Sequence, residues 1–357
     1  MKFIQKNCFV MSLVLISILA IFITNHNDFL YQETILKITK IETIHKDTST
    51  NPLGLSETYY NQKISGIVQN GIKKGTKMSI NYEKTTSSVV TENYHVGDKV
   101  FVTSGSIEGL KRDQYVVFMI VFFVLSIVFV GKFRGLLAVT SVCLNATLFY
   151  VGLKLYFSGL NLLMICMMES IFFTIISLLM AGGWKKKTMA AILSVLCSMI
   201  FLFVGTLLLV HQTNYSGIRF DGMSFLTVPV EDVFLAELII GGLGAIMDIA
   251  ITLSSSISEL IEKNPNISIK SLKKSAQMIG EDIMGSMVNV LFFTYFCSGL
   301  PVFVLAFRNG FSLHNYITTN FTLEITRFLI GGIGIILAIP ISSAIAIRVL
   351  KRGETNE

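Results

Sequence analysis

The chain has 357 residues, of which 52% are hydrophobic and only 15% charged, and its mean hydropathy is +0.66. A soluble globular domain is nearer a quarter charged, so this composition excludes an ordinary soluble enzyme and indicates an integral membrane protein. The formal net charge of +6 does not indicate nucleic-acid binding, because the lysines and arginines cluster in short stretches between apolar runs, as they do in cytoplasmic loops.

Residues 1–27 carry Lys2 and Lys6 ahead of an apolar stretch from Cys8. No small-x-small cleavage site follows in Ile21-Phe22-Ile23-Thr24-Asn25, so an uncleaved transmembrane anchor is expected in preference to a signal peptide. Residues 28–112 are polar and contain no run long enough to span. Ile35–Ile41, Lys63–Val68 and Lys77–Tyr82 read as strands, with Asn70-Gly71 and Lys74-Gly75 as turn residues between the last two. Gly97-Asp98 marks a turn into a final strand at Lys99–Val102. About five short strands suit a small OB- or SH3-like barrel, with an open sheet as the alternative.

From 113 to 357 the chain is almost continuously apolar. Helices are expected at 115–131, 134–155, 160–181, 188–210, 234–256, 282–307 and 325–348, each matching a hydrocarbon core about 30 Å thick. The predicted fold is therefore a polytopic α-helical membrane protein of eight transmembrane helices with a small extracytoplasmic β domain. Lys132 and Arg134, Lys185 to Lys187, Lys263 to Lys274, and Arg348 to Arg352 then all fall on one side. The positive-inside rule places both termini in the cytoplasm and residues 28–112 outside a bacterial plasma membrane.

Asp248 lies deep in an apolar run, where a carboxylate costs at least a few kcal/mol and normally faces a bundle interior, a partner or a water-filled path. Helical spacing sets Gly241, Gly244, Asp248, Thr252, Ser255 and Glu259 on one stripe. The next helix offers Asp282, Gly285, Ser286 and Asn289 on a similar stripe. Gly241, Gly244 and Gly285 are expected to permit close helix packing. Asp248, Asn289, Ser286, Thr252 and Asp282 are the candidates for a substrate or proton path, with an Asp248–Asn289 hydrogen bond expected at matched depth. Asp282 is expected in the first turn of its helix, where the dipole favours a carboxylate. The competing reading makes Asp248 a structural acid that bonds Asn289, Ser286 or Thr252 and locks the helices.

Several other features bear on function. The segment from Ser258 to Gly280 reads either as a surface amphipathic helix or as a solvated loop. Gly241-Gly242-Leu243-Gly244 recurs as Gly331-Gly332-Ile333-Gly334, either as a true repeat or as a common packing motif. Glu237 and Arg327 are placed to pair between their helices, and Glu169 lies near mid-depth of its own. The five cysteines fall in apolar runs and the five histidines are scattered without ligand spacing, so no metal site or disulfide framework is indicated. No nucleotide-binding loop, zinc-protease or nucleophile-elbow motif is present, and no cofactor is expected. An intramembrane aspartyl protease would need two carboxylates sharing one site, and Asp248 and Asp282 differ in expected depth by ~10–12 Å.

The stretch Gly244-Ala245-Ile246-Met247-Asp248-Ile249-Ala250-Ile251, then Ser258-Glu259-Leu260, then Ile279-Gly280-Glu281-Asp282-Ile283-Met284-Gly285-Ser286-Met287-Val288-Asn289, resembles the YibE/F-like family of bacterial multi-pass membrane proteins. Gly97-Asp98-Lys99-Val100 and Gly159-Leu160-Asn161-Leu162-Leu163 extend the resemblance over most of the chain. The sequence departs from the family pattern at Ser286, where threonine is frequent, and at Glu281, where a basic residue is common. The resemblance implies domain boundaries and brings no biochemical activity with it. In layout the chain is also similar to the proton-driven RND and SecD/SecF transporters: a first helix, an outer domain, and a late helix with small-x-x-Asp. Two functions follow as expectations. One is a permease or export-associated protein coupled to protons through Asp248. The other is a non-transporting scaffold whose β domain binds an envelope partner.

Overall fold

A computed structural model describes residues 17–50, 56–86, 91–213, 220 and 229–352. The predicted anchor is helical over 17–25, and the rest of it lies outside the described residues. The chain divides into two compact units after Gly135.

In the first unit, strands β1 (Thr34–Thr50), β2 (Ser56–Val68), β3 (Lys77–Thr85), β4 (Lys99–Thr103) and β5 (Ser106–Leu110) form one antiparallel sheet in the order β3-β2-β1-β4-β5. Leu36, Ile38, Ile64, Val68 and Val100 alternate inward and form its core. The edges β3 and β5 approach each other, joined by Glu92. Its backbone carbonyl accepts from the Tyr82 hydroxyl at 3.0 Å, and its Oε2 accepts from Leu110 N at 2.9 Å. The sheet thus curls as a small barrel would. Sequence reading missed β5, whose signal is Ser104-Gly105: both have positive φ (53° and 85°), as a two-residue hairpin turn of matching twist requires. At Gly66 a side chain would overlap the Lys37 carbonyl, so only glycine lets β2 lie against the β1 bulge after Ile38. From Glu42 to Thr50 β1 is the exposed strand, with β2 held between it and β3 as far as Tyr59.

A polar clasp joins the end of the first helix to the sheet. Lys111, 6% exposed, donates from Nζ to Asn27 Oδ1 (2.6 Å) and Asp28 Oδ1 (2.8 Å), and Lys99 Nζ reaches Asp28 Oδ2 at 2.6 Å. Asn27 Nδ2 and the Tyr31 hydroxyl each donate to Asp113 Oδ2 at 2.9 Å. Burial alone would raise the Asp28 carboxyl, but the hydrogen bonds and charges of Lys111 and Lys99 outweigh it and hold the group below its ordinary value.

Asp113 opens α1 (Asp113–Phe157), whose two segments on either side of Lys132 match the helices expected at 115–131 and 134–155. No loop separates them. A single residue, Lys132, with φ 52° and ψ −126°, breaks the helix, and a Cβ on Gly135 would overlap the Ile127 carbonyl just beyond the break. Unbroken, 45 residues would run about 67 Å, more than twice the hydrocarbon thickness.

The second unit holds the rest of α1, then α2 (Leu162–Gly182), α3 (Lys186–Thr213), α4 (Val230–Lys263), α5 (Ile269–Arg308) and α6 (Thr322–Arg352). Gly183 ends α2 with φ 70°, its N–H capping the Leu179 carbonyl at 2.8 Å. The core is built from α3, α4 and α6 around Val195, Leu202, Leu243, Ile246 and Ile335. Among the described residues, six helices are long and apolar enough to cross a membrane, with α1 counted as one.

Two sequence expectations are corrected in this unit. The segment Ser258–Gly280 is neither a loop nor a separate surface helix. Instead α4 continues to Lys263, and α5 begins at Ile269 under a Ser268 cap that accepts from Ser271 N at 3.1 Å. Leu272, Ala276 and Gly280 form the buried side of this extension, which keeps its basic turn helical. Asp282 therefore lies well inside α5, and the first-turn role expected for it does not hold.

Candidate functional site

Between Glu237 and Glu259, Asp248 is the one ionisable side chain on α4, eleven positions from each. Twenty-two positions at about 1.5 Å each make about 33 Å, so Asp248 stands at mid-depth of a bilayer-length segment. The apolar residues Leu243, Ile246, Ile249, Ala250 and Leu253 turn α4 into the core. The remaining face, with Gly241, Gly244, Asp248, Thr252 and Glu259, is exposed. The stripe read from the sequence is real as a stripe, and it is the side of α4 that the second unit leaves uncovered.

Asp282, Gly285, Ser286 and Asn289 are likewise exposed on α5. The expected lock between the two helices is absent among the described residues. Thr252 Oγ1 donates to the Asp248 backbone carbonyl (2.7 Å), Ser286 Oγ to Ile283 O (2.8 Å) and Asn289 Nδ2 to Gly285 O (2.9 Å). Each polar side chain returns to its own helix, the least costly partner for a short donor exposed at such a depth. No described hydrogen bond or ion pair reaches the Asp248 carboxylate.

The relative depth of the two stripes follows from their shared neighbour, α6. Glu237 pairs with Arg327 and Ile246 meets Gly334, so α4 and α6 run about 90 positions apart and Asp248 is level with Ala338. A Cβ on Gly280 of α5 would overlap Ile339, which brings Asp282 to within about a turn of Asp248 in depth, closer than the separation expected from the sequence. Asn289 falls seven positions, about 10 Å, further along α5.

Gly244 and Gly285 meet no described neighbour within 4 Å of a Cβ position, so the packing expected of them is not made inside this unit. Other glycines make it. A Cβ on Gly242 would lie 3.2 Å from Leu202 Cδ2, and one on Gly334 would lie 3.0 Å from the same atom. Leu202 of α3 thus fills a notch made jointly by both glycine motifs. The expected Glu237–Arg327 pair is present, and Arg327 Nη1 also reaches Glu324 Oε1 at 2.8 Å. With Ile246 against Gly334, these contacts show α4 and α6 running side by side in the same sense, about 90 positions apart in sequence. The repeat is in register but not in facing: Ala338, the counterpart of Asp248, is fully buried.

Glu169, read from the sequence as an acid near mid-depth of its helix, is a second intramembrane carboxylate. It is 7% exposed on α2, its Oε1 has no hydrogen-bond partner, and a Cβ on Gly152 of α1 would overlap it. A seam of polar groups continues along the same two helices, where Asn145 Nδ2 donates to Ser177 Oγ at 2.8 Å. No group of three or more potential metal ligands occurs among the described residues.

An N-terminal β domain followed by long apolar helices, with a lone carboxylate midway along one of them, defines a multi-pass helical membrane protein. The YibE/F-like protein family matches residues 119–352, and the YibE/F family N-terminal domain matches 29–113. The chain belongs to the YibE/F-like family. No curated protein and no solved structure matches it.

Proposed function

We propose that this chain is a bacterial plasma-membrane permease or export-associated protein, coupled to protons through Asp248. One observation carries the reading: Asp248 stands midway between Glu237 and Glu259, on the open face of α4, with no described partner for its carboxylate. Hydrocarbon does not tolerate that arrangement, whereas a water-filled path does. Gly244 leaves room beside it, and Thr252, Ser286, Asn289 and Asp282 supply polar groups along the same open faces. In this reading the first helix, the two segments of α1 and the five helices after it make eight spans. Both termini are cytoplasmic, and the β domain, an OB-like barrel, is outside. The exposed outer part of β1, Glu42 to Thr50, favours a second reading, a scaffold that holds an envelope partner, in which Asp248 carries no proton.

Asp248→Asn separates the two. The variant keeps shape and hydrogen-bonding capacity and cannot ionise. It is expected to keep the wild-type melting temperature in detergent and to lose both complementation of the deletion phenotype and proton entry into dye-loaded proteoliposomes. A well-folded, fully active Asp248→Asn protein would remove the case for coupling.

A further inference from the structure

We propose that the groove between the start of α5 and the end of α6 is a binding site for an anionic phospholipid. The groove has a volume of about 660 Å³. Lys273, Arg348 and Lys351 stand on its rim, and Ile269, Ala344 and Ile345 form its floor, with no acidic residue among those lining it. Lys273 and Arg348 are exposed and have no ion-pair partner among the described residues. Lys351 spends one N–H on the Ile267 carbonyl, which ties the end of α6 to the α4–α5 connection and leaves two donors free.

Three cations converging without a counter-charge among the described residues call for an anion, and basic pockets between membrane helices suit phosphodiester headgroups. The floor decides which anion. A hydrated free phosphate gains nothing from exposed isoleucine and alanine, whereas a lipid lays an acyl chain along them while its phosphate meets the rim. A neighbouring basic groove of about 400 Å³ beside Lys185, Lys186 and Lys187 makes the contrast: Glu262 and Ser258 line it, so it offers a mixed polar surface. The lipid site does not depend on whether the chain transports anything.

Native mass spectrometry of the full chain, released from detergent with phosphatidylglycerol or phosphatidylethanolamine of identical acyl chains, tests the assignment. One phosphatidylglycerol is expected to stay bound under activation that strips phosphatidylethanolamine. Lys273→Gln and Arg348→Gln should each weaken retention roughly fivefold, the value of one cation near an anionic headgroup. Ala344→Phe, which fills the floor without altering charge, should weaken it as well, and Lys185→Gln should leave it unchanged. All of these side chains except Lys185 line the groove, and Lys273, Ala344 and Arg348 are exposed, so folding is preserved and a thermal melt verifies it. Equal retention of the two lipids, indifference to the neutralising changes, or competition by inorganic phosphate at the lipid's own concentration would each overturn the proposal.

Discussion

A carboxylate at membrane depth is costly enough that its surroundings reveal what offsets it, and this chain holds two with opposite surroundings. Asp248 is open and Glu169 is enclosed. The Glu169 carboxylate sits directly over Gly152, so that glycine is a steric requirement of the acid. Gly152→Ala should lower stability by about 1–3 kcal/mol, the usual range for overpacking, read as a drop in melting temperature in detergent. Adding Glu169→Ala should recover much of the loss. Strictly additive effects would show that the carboxylate is not what the new methyl meets. Asp248 and its stripe were legible in the sequence because one helix carries them at a period of three to four. The Glu169 seat was not, because Gly152 lies on a different helix and nothing in a linear reading ties the two. The expected Asp248–Asn289 bond failed for another reason: depth counted from predicted helix ends does not fix how two helices slide or face, which the core settles through α6.

At the scale of elements, the β turns and most strands could be read from glycine, asparagine and alternation, while the end of α4 and the start of α5 could not. Ser268 and the apolar series Leu272, Ala276 and Gly280 carry α5 through lysines that look like a loop, since basic side chains at a helix end reach water whether or not the backbone coils. Packing at the three-helix core makes a second expectation. Leu202→Ala leaves the Gly242–Gly334 notch unfilled and should cost roughly 2 kcal/mol. That is the low end for such truncations, since lipid tails supply no hydrophobic drive between helices. Unfolding in mixed micelles would measure it. The clasp in the first unit yields a pH dependence. Asp28 has a folded value below its ordinary 3.8, so the unfolded chain takes up the proton first as pH falls. Its stabilisation is present above that ordinary value and is lost as pH drops through the lower, folded one. Hydrogen exchange in β1 and β4 of the whole protein, corrected for intrinsic rates, should show protection holding at neutral pH and declining below about pH 4. Lys111→Met should lower protection at neutral pH, by about 1–3 kcal/mol, because it leaves the half-buried Asp28 carboxylate with Lys99 alone. Unchanged protection in that variant would mean that Lys99 alone suffices.

For the whole molecule, the proposed orientation rests on the lysine and arginine clusters. A single cysteine introduced as His95→Cys, in a chain whose native cysteines are replaced, should react with an impermeant maleimide from outside intact cells. Labelling from the cytoplasm alone would invert the topology. The pairing of α4 with α6 has a further consequence, for how the gene tolerates length changes. Glu237 to Arg327 and the shared Leu202 notch fix the two helices against each other at two heights, so a one-residue deletion between 237 and 242, or between 327 and 334, turns everything beyond it by about 100° and separates one attachment from the other. Inserted residues between 309 and 312, outside both helices and both attachments, leave that frame intact. Drift in the length of the chain should therefore gather in the connection and be purged from the two short stretches, as in a zip whose teeth are fixed at both ends.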